Sequence, residues 1–197
     1  MGQNRLQQQI QFIIEIDKLK HIYRQTLLTD KSRHENDAEH SWHLAVMAML
    51  LSEYANEQNI ELLRVIKMVL IHDLVEIDAG DTFCYDEKGN MDKAEREQAA
   101  AKRLFHMLPE DQANELHALW EEFELGSTPE ARFAAALDRL QPLLHNYQTE
   151  GVMWHKHGVT QDKVKKRIEP MEHGAKELWQ YAEELIRSAV EKDYLQR

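Results

Sequence analysis

Among its 197 residues the chain has a single cysteine, Cys84, and only 4 prolines and 7 glycines. One thiol closes no internal disulfide, which removes the disulfide-stapled scaffolds. The amino terminus, MGQNRLQQQIQF, also lacks the apolar stretch and small-residue cleavage site of a signal peptide, so the cytoplasm is the expected compartment. So little glycine and proline leaves few of the turn residues that sheets need, while Ala, Leu, Glu, Gln and Lys are abundant; an all-α fold is expected. Long hydrophobic runs are missing as well. The longest, 44–51, falls far short of the roughly 20 residues of a spanning helix, so no membrane partner is expected. A lipidation signal at Gly2 would want Ser or Thr at the sixth position, where Leu6 stands. Positive charge is also short: 24 Lys and Arg against 35 Asp and Glu give a net charge of −11, which repels phosphate backbones and anionic lipid and argues against a nucleic-acid partner.

What is present is helical periodicity. Leu6, Ile10, Ile13 and Asp17 predict a first helix ending before Arg24, followed by a loop carrying TDKSRHEND. Asp37 is placed as the cap of a second helix to about Asn56, with His40, Leu44, Met47, Leu51 and Tyr54 on one face. A third helix from about Glu61 aligns Val65, Val69, His72 and Glu76, with Asp73 beside them, up to a break at Ala79 and Gly80. Residues 81–93 have no steady period and read as a loop of the length that lies over a site. Further helices are marked by Ala101 to Leu108, by Ala113 to a stop at Gly126, and by Phe133, Leu137, Leu140 and Leu144 after a Thr128 cap and Pro129, with a kink expected at Pro142. A short helix near Val164 and a terminal amphipathic helix from Ala175 to Ala189 close either the domain or a dimer. No internal repeat is visible, and one domain over 1–197, with a helical extension at 160–195, is expected.

Three of these helices carry residues that ligate metals: His40, His72 with Asp73, and Asp138. Taken singly, a histidine or a His-Asp pair on a helix is more often a bonded core or surface group. Together, buried beside Leu, Val and Met, they need a common partner, and a cation is one. Imidazole with carboxylate suits a borderline divalent ion, the two aspartates balance its charge, and coordination positions remain open for water and substrate oxygen, as Lewis-acid hydrolysis requires.

In order and on helices, NDAEHSWH, IHDLVEIDAGD and ALDRL resemble the HD-domain metal-dependent phosphohydrolases, in particular the branch containing the 5'-deoxynucleotidases; the likeness covers about residues 15–150 and includes LPEDQANELHALWEEFE. The resemblance implies a compact helical HD-domain bundle with an additional C-terminal helix. It also implies one divalent ion, with manganese, cobalt, magnesium, zinc, nickel and iron undistinguished, held by His40, His72, Asp73 and Asp138. Glu76, three residues past the His-Asp pair, is then the residue that holds and deprotonates the attacking water or relays its proton, with the alternative that it orients a ligand. Asp81 is a catalytic candidate contacting sugar or water. Arg24, in LKHIYRQTLL, is the arginine that faces the substrate phosphate, for which its planar fork is suited. Where the branch has a tryptophan after that arginine, this chain has Gln25, Thr26 and Leu27, so a preference for deoxyribose does not follow.

Glu35 is expected to anchor the loop, through Arg33 or a ligand histidine, and His43 to be structural. His155 and His157 lack carboxylates at ligand spacing and read as solvated loop. The expected activity is hydrolysis of a phosphomonoester, a nucleoside 5'-monophosphate above all, by a homodimer acting on a small molecule. Hydrolysis of triphosphates or other phosphoesters, or a non-catalytic metal-binding module, are the alternatives.

Overall fold

The computed structural model describes residues 4–86 and 88–197. The lipidation reading at Gly2 and one residue of the 81–93 segment, Glu87, lie outside the described residues. The chain is 70% helical. Helix α1 (Arg5–Ile16) starts at Asn4, whose side chain accepts from Gln7 N–H while Gln7 bonds back to the Asn4 backbone. A 3-10 turn, Asp17–His21, leads to a two-stranded antiparallel hairpin of β1 (Tyr23–Leu27) and β2 (His34–Asn36), pairing Tyr23 with Asn36 and Leu27 with His34. The segment from Arg24 to Asn36, expected as loop, is thus a hairpin. Its polar strands alternate too little to be recognised.

Helix α2 (Asp37–Leu51) is capped by Asn36, not Asp37. Asn36 is extended, and its side chain accepts from Glu39 N–H at 3.0 Å. Asp37 is instead the first helical residue and is wholly buried. Helix α3 (Leu62–Ile71) passes into a 3-10 turn, His72–Val75, and then into α4 (Glu76–Ala79), so the expected third helix is three pieces. Gly80, at φ +76°, turns the chain out of α4.

Helices α5 (Lys93–Phe105) and α6 (Glu110–Leu125) follow, the latter ended by left-handed Gly126. Helix α7 (Pro129–Gln148) starts at Thr128, whose hydroxyl accepts from Ala131 N–H, and runs 20 residues through Pro142. Then come α8 (Val152–Lys156), α9 (Gln161–Ile168) and α10 (Lys176–Glu191).

Helix α7 is the axis of the bundle and touches α2, α3, α6, α9 and α10. Its Phe133, Ala134 and Leu137 meet Leu44, Val65, Met68 and Ile186 in a core from which water is excluded. Helix α10 turns Ala182, Ile186 and Ala189 into that core, so of the two expected roles it takes that of closing the domain. The expected stripe of α1 is the exception: Leu6, Ile10, Ile13 and Ile14 are exposed and only Phe12 is buried. A periodic stripe says that a face is apolar, not that the same chain covers it. No helix among the described residues is long and apolar enough to cross a membrane.

Candidate metal centre

The bundle brings His40 of α2, His72 and Asp73 of the 3-10 turn, and Asp138 of α7 to one point. His40 Nε2 lies 3.1 Å from Asp138 Oδ1 and 3.9 Å from Asp73 Oδ2. His72 Nε2 lies 3.1 Å from Asp73 Oδ1 and 3.8 Å from Asp138 Oδ1. The two rings are 5.6 Å apart, centre to centre. His72 Nδ1–H donates to the Val69 carbonyl at 2.9 Å, which turns Nε2 toward the carboxylates, and that atom is buried with no hydrogen-bond partner among the described residues. Bare imidazole nitrogens and carboxylates facing one another out of water repel unless positive charge lies between them.

Protons and Arg24 supply that charge in the protein alone. Burial would depress the His72 pKa, but the Asp73 and Asp138 carboxylates outweigh it and lift it to about 9. Burial would raise Asp138, yet the imidazoles of His40 and His72 beside it pull it well below the carboxylate range. Burial, with Arg24, holds His40 near 4, so this imidazole is neutral, as a ligand must be. A centre that draws a proton so strongly fits a divalent cation in the same place, and its nitrogen and oxygen donors suit a borderline ion.

Arg24 reaches in from β1, its side chain 14% exposed, with Nη1 2.8 Å from Asp73 Oδ2 and 3.3 Å from Asp37 Oδ1. The charges of Asp73, Asp138 and Asp37 outweigh its burial and hold it firmly protonated. Glu76, the first residue of α4, is buried beside Asp37 and Asp73, and its Oε2 has no partner among the described residues. Burial, Asp73 and Asp37 push Glu76 well above the carboxylate range, while burial and Asp73 lift Asp37 to about 7. Of the two carboxyls Glu76 is thus the more readily protonated. Asp81, raised mainly by burial, stands on the wall of the same cavity.

Sequence reasoning missed Gln141. This side chain, fully buried one turn beyond Asp138, accepts from His40 Nδ1–H at 3.1 Å and donates to Glu35 Oε1 at 2.7 Å. Its amide nitrogen is also 3.3 Å from His43 Nδ1 and 3.2 Å from His145 Nε2. Asp138, Gln141 and His145 make a polar line along one face of α7, which was the available signal. Glu35 thus anchors by way of Gln141, whereas Arg33 pairs with Glu39. Asp37, read only as a cap, is a site residue. His155 is exposed and its Nε2–H donates to the Asp193 carbonyl; His157 is exposed and packs on Phe83.

A cavity of about 170 Å³ opens over the centre, lined by Arg24, Asp73, Glu76, Asp81 and Asp138 at its floor. The 81–93 segment contributes Phe83, Cys84, Tyr85 and Asn90 to its wall, as a loop over a site would. Arg96 of α5 ties that segment down, donating to Thr82 Oγ1, to the Gly89 carbonyl and to the Ala79 carbonyl.

Known proteins share this fold. Residues 16–179 match a family model described as HD domain. The chain is 32% identical over 154 residues to 5'-deoxynucleotidase HDDC2 of Homo sapiens, covering 78% of this chain and 73% of that one, and 32% identical over 143 residues to its counterpart in Bos taurus, covering 72% and 67%. A crystal structure of a predicted metal-dependent phosphohydrolase from Magnetospirillum magnetotacticum is 59% identical and superposes with a TM-score of 0.94 over 98% of this chain and 96% of that one. The PH0347 protein of Pyrococcus horikoshii, 23% identical, shares the fold at a TM-score of 0.65, over 93% of this chain and 99% of that one.

Proposed function

The chain belongs to the HD domain family, and from that premise we propose that it is a divalent-metal-dependent phosphomonoesterase acting on nucleoside 5'-monophosphates. His40, His72, Asp73 and Asp138 would hold one ion. The observation that carries this reading is His72 Nε2, buried without a hydrogen-bond partner among the described residues and 3.1 and 3.8 Å from two carboxylates. When bound, the ion supplies Lewis acidity toward the phosphoryl oxygens and the attacking water.

The other residues do the remaining work. Arg24 exchanges its bond to Asp73 for the non-bridging phosphate oxygens, which its fork fits and whose charge it neutralises. Glu76 hydrogen-bonds the attacking water through its free Oε2 and takes its proton, which Asp37 is placed to share. This role requires Glu76 to be ionised. Burial, with the charges of Asp73 and Asp37, favours its protonated form, and a cation held by Asp73 would relieve the Asp73 share of that push. Asp81 contacts the sugar or water at the cavity wall.

The cavity's 170 Å³ is below the roughly 300–1,000 Å³ of sites that enclose a whole drug-sized ligand, so it suits the phosphate and part of the sugar, with the base against Phe83 and Tyr85. Gln25 and Thr26 line it where the related branch has tryptophan, and sugar preference turns on them. The same reading takes the chain as one domain acting in the cytoplasm as a homodimer, the exposed apolar face of α1 supporting the last.

The test is phosphate release from deoxy- and ribonucleoside 5'-monophosphates by chelated protein reloaded with Mn²⁺, Co²⁺, Mg²⁺ or Zn²⁺ in turn. Release that depends on added metal is expected. Silence across the panel with metal bound would overturn the monoesterase.

A further inference from the structure

Besides Arg24, two more guanidiniums open onto the cavity: Arg139 of α7 and Arg167 of α9. They approach the centre through a different carboxylate. Arg24 holds Asp73, whereas Arg167 Nη2 lies 3.5 Å from Asp138 Oδ2, the oxygen turned away from the histidines. Asp138 Oδ1 faces His40 and His72 at 3.1 and 3.8 Å.

Arg139 has even less to neutralise it. It follows Asp138 in sequence, yet its Nη1 donates backward to the Ala135 carbonyl at 2.8 Å, and its Nε is buried with no partner among the described residues. Asp138 thus pairs with Arg167 and also faces the two histidines, whereas Arg139 makes no ion pair among the described residues. Were the Asp138 charge taken up by a cation, Arg167 would lose its carboxylate, and Arg139 has none paired with it at the cavity wall. Forked donors in that condition take an oxyanion.

We propose that Arg139 and Arg167 form a second anion subsite, which takes a phosphate oxyanion on the Asp138 side of the centre. This rests on the phosphoester reading above and deepens it. The oxyanion has two possible sources: the scissile phosphate itself, gripped between Arg24 and Arg167, or a second phosphate carried by the same nucleotide. In either case α9, outside the stretch where the sequence motifs lie, completes the site.

The experiment uses the full chain loaded with Mn²⁺. Inorganic phosphate is titrated calorimetrically into wild type, R139Q and R167Q, with bound metal quantified in each. Both side chains are partly exposed, so the substitutions leave the core intact. Each variant should bind phosphate at least fivefold more weakly while holding metal within twofold of wild type, and R167K should recover part of the loss. Unchanged phosphate affinity in both variants would overturn the subsite, as would loss of metal from R167Q, which would make Arg167 a support for Asp138. Because binding is read without turnover, failure of the monoesterase reading remains distinguishable. KM values for nucleoside 5'-monophosphates and 3',5'-bisphosphates then assign the source. An equal rise in R167Q identifies the scissile phosphate, and a rise confined to the bisphosphate identifies a second one.

Discussion

Gln141 decides which nitrogen of His40 faces the centre, because its amide has one accepting end, 3.1 Å from Nδ1, and its donating end is committed to Glu35 at 2.7 Å. Replacing it with leucine keeps the volume near but leaves Nδ1–H unpaired and lets the ring choose either tautomer. Gln141→Leu should weaken metal binding about 10–100-fold, the range for groups that orient ligand histidines, with the His40 tautomer shift visible by ¹⁵N NMR. Retained affinity with an unchanged tautomer would show that packing alone holds the ring. Asp73→Asn removes one carboxylate charge from the centre at constant shape; on the proposed ligand set it should abolish metal uptake and turnover while the helical circular dichroism stays that of wild type. Glu76→Gln makes a different demand. Metal stoichiometry should persist and the rate fall by about 10²- to 10⁴-fold, the share of a general base. A joint fall in metal and rate would demote Glu76 to orienting the ligands. The residues named from the motifs, from Arg24 to Asp138, do meet in space. Of those missed, Gln141 and Arg167 lie outside the motifs, while Asp37 and Arg139 stand within NDAEHSWH and ALDRL without a role that the motif assigns; their part is fixed by which way a side chain leaves its helix.

At the scale of elements, one carboxylate clasps three helices. Glu122 of α6 receives Arg64 Nε of α3 at 3.0 and 3.1 Å and the hydroxyl of Thr128, the cap of α7, at 2.6 Å. The Arg64 bond draws its pKa below the ordinary 4.5. A depressed carboxylate gives its stabilisation above the unfolded pKa and loses it as pH falls through the folded one. Glu122→Gln should therefore cost about 1–2 kcal/mol at pH 7, typical of charged hydrogen bonds, and the gap between variant and wild type in urea melts should close as pH falls through the depressed folded pKa. Gly151, between α7 and α8 at φ +71°, sits where an added Cβ would be 1.7 Å from the Tyr194 carbonyl oxygen. The helices themselves were legible, since apolar periodicity, the Thr128 cap and Gly126 are local signals. The 3-10 break at His72 was not. It turns His72 and Asp73 toward groups 65 residues away on α7, and no local preference records such a partner.

For the whole molecule, the centre joins α2, the turn after α3 and α7, which are distant in sequence and together span the bundle. Any ion held by ligands from all three binds the folded chain and not the unfolded one, so occupancy becomes folding free energy. Free metal at 100 times its Kd adds about 2.7 kcal/mol, which for a chain of this size raises the melting temperature by roughly 5–10 °C. Calorimetric melts with excess Mn²⁺ and with chelator should differ by that amount in wild type and by nothing in Asp73→Asn. The increment should grow with the logarithm of free metal, because mass action sets it. A rise that is equal in wild type and variant would place the ion elsewhere, on the acidic surface that a net charge of −11 provides, and would leave the four converging ligands without their cation.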